Sequence, residues 1–575
     1  MEVKHFPEDM GSIAVNPQAV RGCLVSGLFE EHVEVNGVRR RFFTYLKPGL
    51  AYNQRCLILV PDDGEPVLDY LERSFWLDFA KRENIFLHVL VPEEGGWRTD
   101  GSDALYMNRV YLQAHSRSRY VTSRDNTYAV GLGAGAVIAQ QSAMNIPNEW
   151  AGLATFGEMN WQAMRDISRI PQVEQLSRPR KLSDPGRCQL PVWMSWRENS
   201  GDNAKVCDYW KAQNNADPER FSNETADEIY FPVRVCKKSQ IDEEQIAQVR
   251  VTNGFTGEVT QARFDAVWGY IKLAYRHRCF GGGTLRYAID PQAYSLEKHS
   301  MVLDGYTRIW YEYVPESVKK SGSPVPLVLT MHGRNGSAEM FVCVSGMTRV
   351  AEERNFIAVF PEAAGYQQNP LGPKNILHWC GCNDGKPNND VEFIRRLLED
   401  VQSRHCVDPG RVYACGQSSG GMMASELASK MPDTFAAVAT WSAIRNHELN
   451  TPLPDSGKSV VPYMFLFGDR DRLCCDRQNG ELEYHASAFT ADFLKRLIAR
   501  YRLDETPLSF RAGEIQYYVY FNSKRVPLLV VGVIENMPHG NYPRESWISY
   551  DTFLAKFSKD AQGNLYYMGQ AQRSV

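Results

Sequence analysis

The chain has 575 residues and a formal net charge of -4, with 43% hydrophobic and 23% charged residues. Its length exceeds what one hydrophobic core usually organises, so we expect at least two domains of about 250 residues each. The composition is that of a soluble globular protein, and the near-neutral charge excludes recognition of nucleic acid or of an anionic membrane through a basic surface.

The ends of the chain give no sign of a targeting or membrane-spanning segment. The first 20 residues have neither the basic start nor the apolar stretch of a signal peptide. The apolar run from Val526 to Ile534 is about half the length of a membrane span and indicates a buried strand. We therefore expect a cytoplasmic protein that contacts no membrane.

Thirteen cysteines are present, an odd number that argues against a complete disulfide framework. Two clusters are candidate metal ligands: the segment from Cys380 to Cys382, beside His378, and the pair Cys474-Cys475. Both lack the spacing of about two to four residues that paired cysteines have in structural zinc sites. We expect packed thiols, no metal and no cofactor.

The chain divides into two similar halves. Residues 1–30 fit neither half and are predicted to form an arm; a first domain follows over 31–280, a linker with three consecutive glycines over 281–299, and a second domain over 300–575. Four pairs of segments match in the same order: 34–37 with 302–305, 55–60 with 326–331, 126–135 with 411–420, and 251–255 with 534–538. A repeat of such long period predicts one fold that occurs twice.

Short apolar runs alternate with helical patterns in each half. In the second half these runs cover 327–331, 356–360, 412–415, 438–441, 463–467 and 528–533. Nearly continuous apolar runs are typical of parallel strands covered on both faces. Between them, residues 390–401 form an amphipathic helical pattern, and a last helix is predicted from about Arg544 to Lys559. The alternation predicts an α/β fold with doubly wound, mostly parallel sheets.

A nucleophile motif lies at one strand-to-helix junction of the second half. Gly416-Gln417-Ser418-Ser419-Gly420 follows the apolar run 412–415 and precedes a helical pattern. The glycines leave room for a sharp turn that lifts the serine hydroxyl above the sheet, and the helix start offers free N–H groups. This context predicts an α/β-hydrolase nucleophile elbow, with Ser418 as nucleophile and the N–H of Ser419 as an oxyanion donor.

The other groups of a serine hydrolase are expected after later strands, the acid first and then the histidine. Asp469 and Asp471 follow the run 463–467, and His539 follows the run 528–533. We predict His539 as the base and prefer Asp471 over Asp469 as the carboxylate that orients it. The loop after Met331 gives the second oxyanion donor in this fold, a role we assign to the N–H of Arg334.

Several motifs of the second half occur together: 326–333, 389–393, 407–413, 416–421, the Gly-x-x-Asp that ends at Asp471, and Pro538-His539 with Pro543 behind it. With them, most of residues 300–560 resembles the polyhydroxybutyrate depolymerase and feruloyl esterase family of α/β-hydrolases. The resemblance implies hydrolysis of carboxylic esters, with a small acyl, hydroxyacyl or hydroxycinnamoyl group, and no cofactor. Family members often carry a cysteine where Arg334 stands, which leaves the acyl preference open.

Two further residues are candidate substrate contacts. His332 precedes the oxyanion loop, and Trp379 lies beside the first cysteine cluster, where it is a candidate wall of the pocket. A core position explains the tryptophan equally well.

The first half lacks every catalytic group. The aligned pairs are Gly133 with Ser418, Thr256 with His539, Ser200 with Asp471, and Pro61-Asp62 with His332-Gly333. A glycine has no group that attacks a carbonyl, so this half is predicted to be a degenerate, pseudo-enzyme domain. It either supports the second half or forms one wall of the substrate cleft.

Two other functions fit part of the pattern. A serine peptidase of the prolyl-oligopeptidase type has the same elbow and residue order, but such peptidases usually carry a β-propeller, whereas the first half here is α/β. A non-catalytic binding protein fits the first half but not the second. The expected partner is a small or oligomeric ester, the two halves are expected to pack within the chain, and the pattern is compatible with an oligomer.

Overall fold

The structure is a computed structural model that describes the chain apart from residues 15–21, 167–169, 172–187, 234–242, 278–283, 289–294, 367–376, 381, 384–385, 388, 444–459, 476–486, 536 and 573–575. The described residues form two compact units, one of residues up to Ala288 and one of residues from Ser295 on. The glycines expected in the linker lie outside the described residues. Within the described part of the chain, no helix has the length and apolar character needed to cross a membrane.

The first unit alternates strands and helices. Its described strands are β1 (Val3–Lys4), β2 (Gly27–Val35), β3 (Val38–Leu46), β4 (Cys56–Val60), β5 (Phe86–Leu90), β6 (Thr127–Leu132), β7 (Gly152–Phe156), β8 (Val192–Ser195), β9 (Glu228–Tyr230), β10 (Val249–Thr252), β11 (Ala274–His277) and β12 (Thr284–Tyr287). Its described α-helices are α1 (Val67–Arg73), α2 (Trp76–Glu83), α3 (Ser102–Ala114), α4 (Gly135–Asn145), α5 (Trp161–Met164), α6 (Gly201–Gln213) and α7 (Gln261–Ile271). Strands β1 to β10 form one sheet, and β11 and β12 form a separate ribbon.

The second unit has the same alternation. Its described strands are β13 (Glu297–Leu303), β14 (Tyr306–Tyr313), β15 (Val325–Met331), β16 (Ile357–Pro361), β17 (Gly365–Tyr366), β18 (Leu377–His378), β19 (Cys382–Asn383), β20 (Lys386–Pro387), β21 (Val407–Gln417), β22 (Ala437–Trp441), β23 (Tyr463–Gly468), β24 (Leu508–Ala512), β25 (Ile515–Phe521), β26 (Pro527–Ile534), β27 (Phe557–Lys559), β28 (Leu565–Tyr567) and β29 (Gln570–Ala571). Its described α-helices are α8 (Glu316–Ser321), α9 (Ala338–Ser345), α10 (Met347–Arg354), α11 (Asp390–Arg404), α12 (Ser419–Lys430), α13 (Ala488–Arg500) and α14 (Glu545–Thr552).

The main sheets of the two units share one strand order. The first contains β3-β5-β4-β6-β7-β8-β10 and the second contains β14-β16-β15-β21-β22-β23-β26. In each series, every pair of neighbouring strands after the first pair is parallel. Strands β4 and β15 are buried along their whole length, as expected where helices cover both faces of a sheet. The predicted mostly parallel α/β fold is confirmed in both units.

Two element boundaries differ from the sequence prediction, and the predicted N-terminal arm takes part in the first sheet. The expected N-terminal arm contributes β1, which pairs with β2 through Val3 and Leu28, and so satisfies backbone groups of the first sheet. Strand β13 begins at Glu297, inside the expected linker. The last helix ends at Thr552 instead of Lys559, because the chain turns to pair Phe557 with Tyr567 in a small antiparallel sheet.

Candidate active site

Ser418 lies at the turn between strand β21 and helix α12. Its backbone has φ 53° and ψ -120°, a conformation that costs a non-glycine residue about 1–3 kcal/mol. Gly420 is needed directly beyond the turn, because a Cβ there would collide with the carbonyl oxygen of Met331 on the neighbouring strand. The fold thus presents the Ser418 hydroxyl at the carboxyl edge of the parallel sheet, where α/β enzymes usually bind ligands.

The three predicted catalytic side chains lie together. The His539 Nε2 atom is 3.0 Å from the Ser418 Oγ atom, and the His539 Nδ1 atom is 2.9 Å from the Asp471 Oδ2 atom. Asp471 is fully buried, and its other oxygen accepts the N–H of Leu473 at 3.0 Å. A buried carboxylate that accepts the Nδ1 proton leaves the Nε2 lone pair directed at the hydroxyl, which is the arrangement that activates a serine.

The acid and histidine loops are joined through their backbones. The N–H of Asp469 donates to the carbonyl of Ile534 and that of Arg470 to the carbonyl of Met537, each at 3.0 Å. Gly468 permits this approach, since a Cβ at that position would collide with the Met537 carbonyl oxygen. The structure therefore places Asp471, and not Asp469, on the imidazole.

Two polar residues that the sequence analysis missed also hold this site. The Ser442 hydroxyl, just after β22, donates to the carbonyl of Gly540 at 2.9 Å and so fixes the loop beside His539. The Gln417 side-chain nitrogen lies 3.4 Å from the His539 Nε2 atom, and its oxygen fills the space where a side chain on Gly333 would stand. No sequence signal marks either residue, because the Gly-x-Ser-x-Gly motif does not specify the residue before the serine and Ser442 belongs to no motif.

The cysteine clusters supply packing atoms near the site. The Cys380 N–H donates to the Asp390 carboxylate at 2.8 Å, and its sulfur lies 3.7 Å from that of Met423. Gly381 and the side chain of Cys382 lie outside the described residues. Burial, and then the charge of Asp471, raise the pKa of the Cys474 thiol well above its usual range, so this thiol stays protonated beside the acid loop.

The predicted role of His332 as a substrate contact is wrong. Its ring is fully buried, with Nδ1 2.8 Å from the carbonyl oxygen of Gly333 and Nε2 accepting the N–H of Ala363 at 3.1 Å. Because both ring nitrogens are bonded to the backbone, His332 holds the turn that follows β15 instead. Trp379 is also fully buried, 5.6 Å from the His332 ring between centroids, so the core position is the correct alternative for this residue.

The two predicted oxyanion donors follow adjacent strand ends. Strand β15 runs parallel to β21, with Met331 opposite Gly416, so Arg334 and Ser419 lie just beyond neighbouring strands. Ser419 begins helix α12, and the first N–H groups of a helix have no partner within it. Both N–H groups remain predictions as donors, at positions that suit an oxyanion beside Ser418.

The burial of His332 predicts a pH-dependent stability. Burial lowers its pKa to about 4, whereas an unfolded histidine has a pKa of about 6.5. The unfolded chain therefore binds the proton first, and stability that is complete above pH 6.5 falls by about 3 kcal/mol between about pH 6.5 and 4. We expect His332→Asn to flatten this part of the plot of unfolding free energy against pH, measured by urea denaturation.

The exposed His5 supplies the matched control, since His5→Asn should retain the wild-type slope. Buried His88 of the first unit, whose pKa burial lowers to about 3, should contribute a similar slope that His332→Asn leaves in place. An unchanged slope in His332→Asn would contradict the neutral, buried state of this imidazole.

The corresponding turn of the first unit contains a carboxylate. Gly133, between β6 and α4, has φ 52°, and a Cβ on it would collide with the Asp62 carboxylate. Asp62 accepts the N–H of Ala134 at 3.0 Å, and Ala134 is aligned with Ser419. The Ser200 hydroxyl donates to Glu198 at 2.6 Å, and Thr256 is exposed. The first unit therefore has the Asp62 carboxylate at the positions that correspond to Ser418 and to the N–H of Ser419 in the second unit.

Comparison with known proteins finds sequence similarity between the second unit and several esterases. Residues 312–453 match the family described as Esterase PHB depolymerase. A putative esterase, NocK, of Nocardia uniformis subsp. tsuyamanensis is 30% identical over 30% of this chain and 48% of its own. Poly(3-hydroxyalkanoate) depolymerase C of Paucimonas lemoignei is 24% identical over 40% of this chain and 58% of its own length. Feruloyl esterase B of Thermothelomyces thermophilus is 29% identical over 26% of this chain and 50% of its own length. The chain spans about half the length of these relatives.

Proposed function

We propose that this protein is a serine carboxylic ester hydrolase whose second unit forms an acyl-enzyme on Ser418. The observation that carries the proposal is the continuous hydrogen-bonded series from Asp471 through His539 to Ser418. The family match of residues 312–453 supports ester chemistry, and the names of the relatives suggest small acyl, hydroxyacyl and hydroxycinnamoyl esters as the substrates to try.

The geometry supports a two-step acyl transfer. His539 Nε2 takes the proton of Ser418 as Oγ attacks the ester carbonyl, and the N–H groups of Ser419 and Arg334 bind the oxyanion. The carbon–oxygen bond to the alcohol then breaks, and the imidazolium gives its proton to the leaving oxygen. Water, deprotonated by His539, attacks the acyl-enzyme, which releases the acid and restores Ser418. Asp471 stays ionised throughout and stabilises the charged imidazole.

Two measurements test this function. A fluorophosphonate probe should label the wild-type chain at Ser418, and a panel of p-nitrophenyl esters of rising acyl length, together with hydroxycinnamate esters, should include a substrate. An absence of both labelling and hydrolysis would refute the proposal. If an aryl amide were cleaved as fast as the matching aryl ester, the peptidase alternative would replace it.

The first unit is, in our proposal, a catalytically degenerate copy of the same fold. Two observations support this proposal. The two main sheets share one strand order, and at the turn of Gly133 the Asp62 carboxylate occupies the position of a nucleophile side chain. This unit then has a non-catalytic role.

Restoring a serine at this turn should not restore chemistry. In a chain that already carries Ser418→Ala, we expect Gly133→Ser to give no ester hydrolysis, because neither Ser200 nor Thr256 is a base or an acid. The backbone of Gly133 has φ 52°, a conformation that costs a non-glycine residue about 1–3 kcal/mol, and the new side chain must displace Asp62. We therefore also expect a loss of about 1–3 kcal/mol of unfolding free energy in urea.

Gly269→Ser is the control for this loss, because a Cβ on Gly269 of helix α7 meets no atom within 4 Å. It should unfold at the wild-type urea concentration or slightly above it. Any hydrolysis gained through Gly133→Ser would show that the first unit is not degenerate.

A further inference from the structure

Arg334 is the exposed residue of an otherwise buried turn next to Ser418. The turn runs from Gly333 to Gly336 and is closed by the Gly336 N–H, which donates to the Gly333 carbonyl at 3.0 Å. Gly333, Asn335 and Gly336 are buried, and Arg334 alone is exposed. Because the preceding strand β15 pairs with β21, and paired strands lie about 4.8 Å apart, the long arginine side chain starts within reach of a substrate on Ser418.

The positive charge of Arg334 has no counter-charge in the described part of the chain. Several other arginines of the second unit are paired with a carboxylate: Arg308 lies 2.8 Å from Asp390, and Arg354 lies 2.8 Å from Asp551. Within the described residues, no carboxylate lies within ion-pair distance of Arg334 and no other polar group bonds its side chain. Partial burial lowers the pKa of Arg334, the direction expected for a cation that loses part of its hydration.

A partly desolvated cation is stabilised when a ligand brings the opposite charge. The guanidinium group forms two parallel hydrogen bonds with a carboxylate, which add direction as well as attraction. The buried carboxylate of Asp471 is hydrogen-bonded to His539 and to the N–H of Leu473, so it is not the counter-charge of Arg334. His332, which adjoins the turn, is held neutral by its burial.

We propose that Arg334 makes the enzyme selective for esters whose acyl group carries a carboxylate a few bonds from the scissile carbonyl. This inference rests on the proposed function, and it names the substrate class of the same site. The backbone N–H of Arg334 contacts the oxyanion, while its side chain binds the remote carboxylate and orients the acyl group for attack by Ser418.

Two esters that differ only in this charge provide the test: p-nitrophenyl hemiadipate, with a terminal carboxylate, and p-nitrophenyl hexanoate, with a methyl group in its place. The quantity measured is the ratio of their kcat/KM values, corrected for uncatalysed hydrolysis. We expect Arg334→Gln to lower this ratio by roughly tenfold or more, and Arg334→Lys to lower it less. In the wild type the ratio should also fall when the ionic strength is raised from about 0.05 to 0.5 M.

Arg525→Gln is the matched control. Arg525 is an exposed arginine of the same unit, its nearest carboxylate is that of Asp504 at 3.7 Å, and the ratio should keep its wild-type value in this variant. Hydrolysis of both esters with the same ratio in the wild type and in Arg334→Gln would overturn the inference and leave the proposed function standing. Hydrolysis of neither ester, with no labelling by a fluorophosphonate, would instead refute the proposed function.

Discussion

Ser418→Ala is expected to reduce kcat/KM for the best ester to the background rate, a loss of roughly a factor of a million. Without the hydroxyl no acyl-enzyme forms, and in serine hydrolases the loss of the nucleophile alone costs about as much as the loss of the whole catalytic triad. The measurement is the initial rate of p-nitrophenol release by purified variant and wild type, together with their labelling by a fluorophosphonate probe.

The control for this variant lies on the same helix. Ser425 is fully buried in α12, and its hydroxyl has no hydrogen-bond partner among the described residues. Ser425→Ala should keep wild-type activity and full labelling. If Ser418→Ala retained more than a trace of hydrolysis while its circular dichroism spectrum matched that of the wild type, another group would be the nucleophile.

Asp471→Asn is expected to lower kcat by about ten-thousandfold, with a much smaller change in KM. The N–H of Leu473 needs an acceptor, so an asparagine in this position turns its NH2 group toward His539. That group donates to Nδ1 and favours the unproductive tautomer, and the neutral amide does not stabilise the imidazolium. Steady-state kinetics on one p-nitrophenyl ester separates kcat from KM.

Asp469→Asn serves as the comparison, because it removes a charge two residues away while the loop backbone stays the same. The Asp469 N–H, which donates to Ile534, is retained in the variant. We expect its kcat to fall by less than about tenfold. Equal losses in the two variants would mean that general loop disruption, and not the orientation of His539, explains the effect of Asp471→Asn.

The fold and the three central site residues were predictable from the sequence because their signals are local. The elbow needs glycines around a serine between a strand and a helix, and the acid and histidine each follow an apolar run. Parallel strands bring such positions to one edge of the sheet whatever their separation along the chain. The structure places Ser418, Asp471 and His539 in contact there.

Residues whose role depends on the direction of a side chain were not predictable. His332 was assigned to the substrate because it precedes the oxyanion loop, but its ring turns into the core to bond the backbone at Gly333 and Ala363. Ser442 and Gln417 act through hydrogen bonds to a loop that is far away in sequence. The end of the last helix was missed because a pairing with Tyr567 outweighs local helical periodicity.

The positive φ of Ser418 makes this residue a point of local frustration, where the most stable backbone conformation and the one that the turn requires differ. Alanine and glycine both remove the hydroxyl at this position, but only glycine adopts such a conformation without steric cost. Loss of chemistry and release of strain are therefore separable at a single residue. The alanine variant is expected to be inactive and to keep the backbone strain at position 418. The glycine variant is expected to be inactive and to lose that strain.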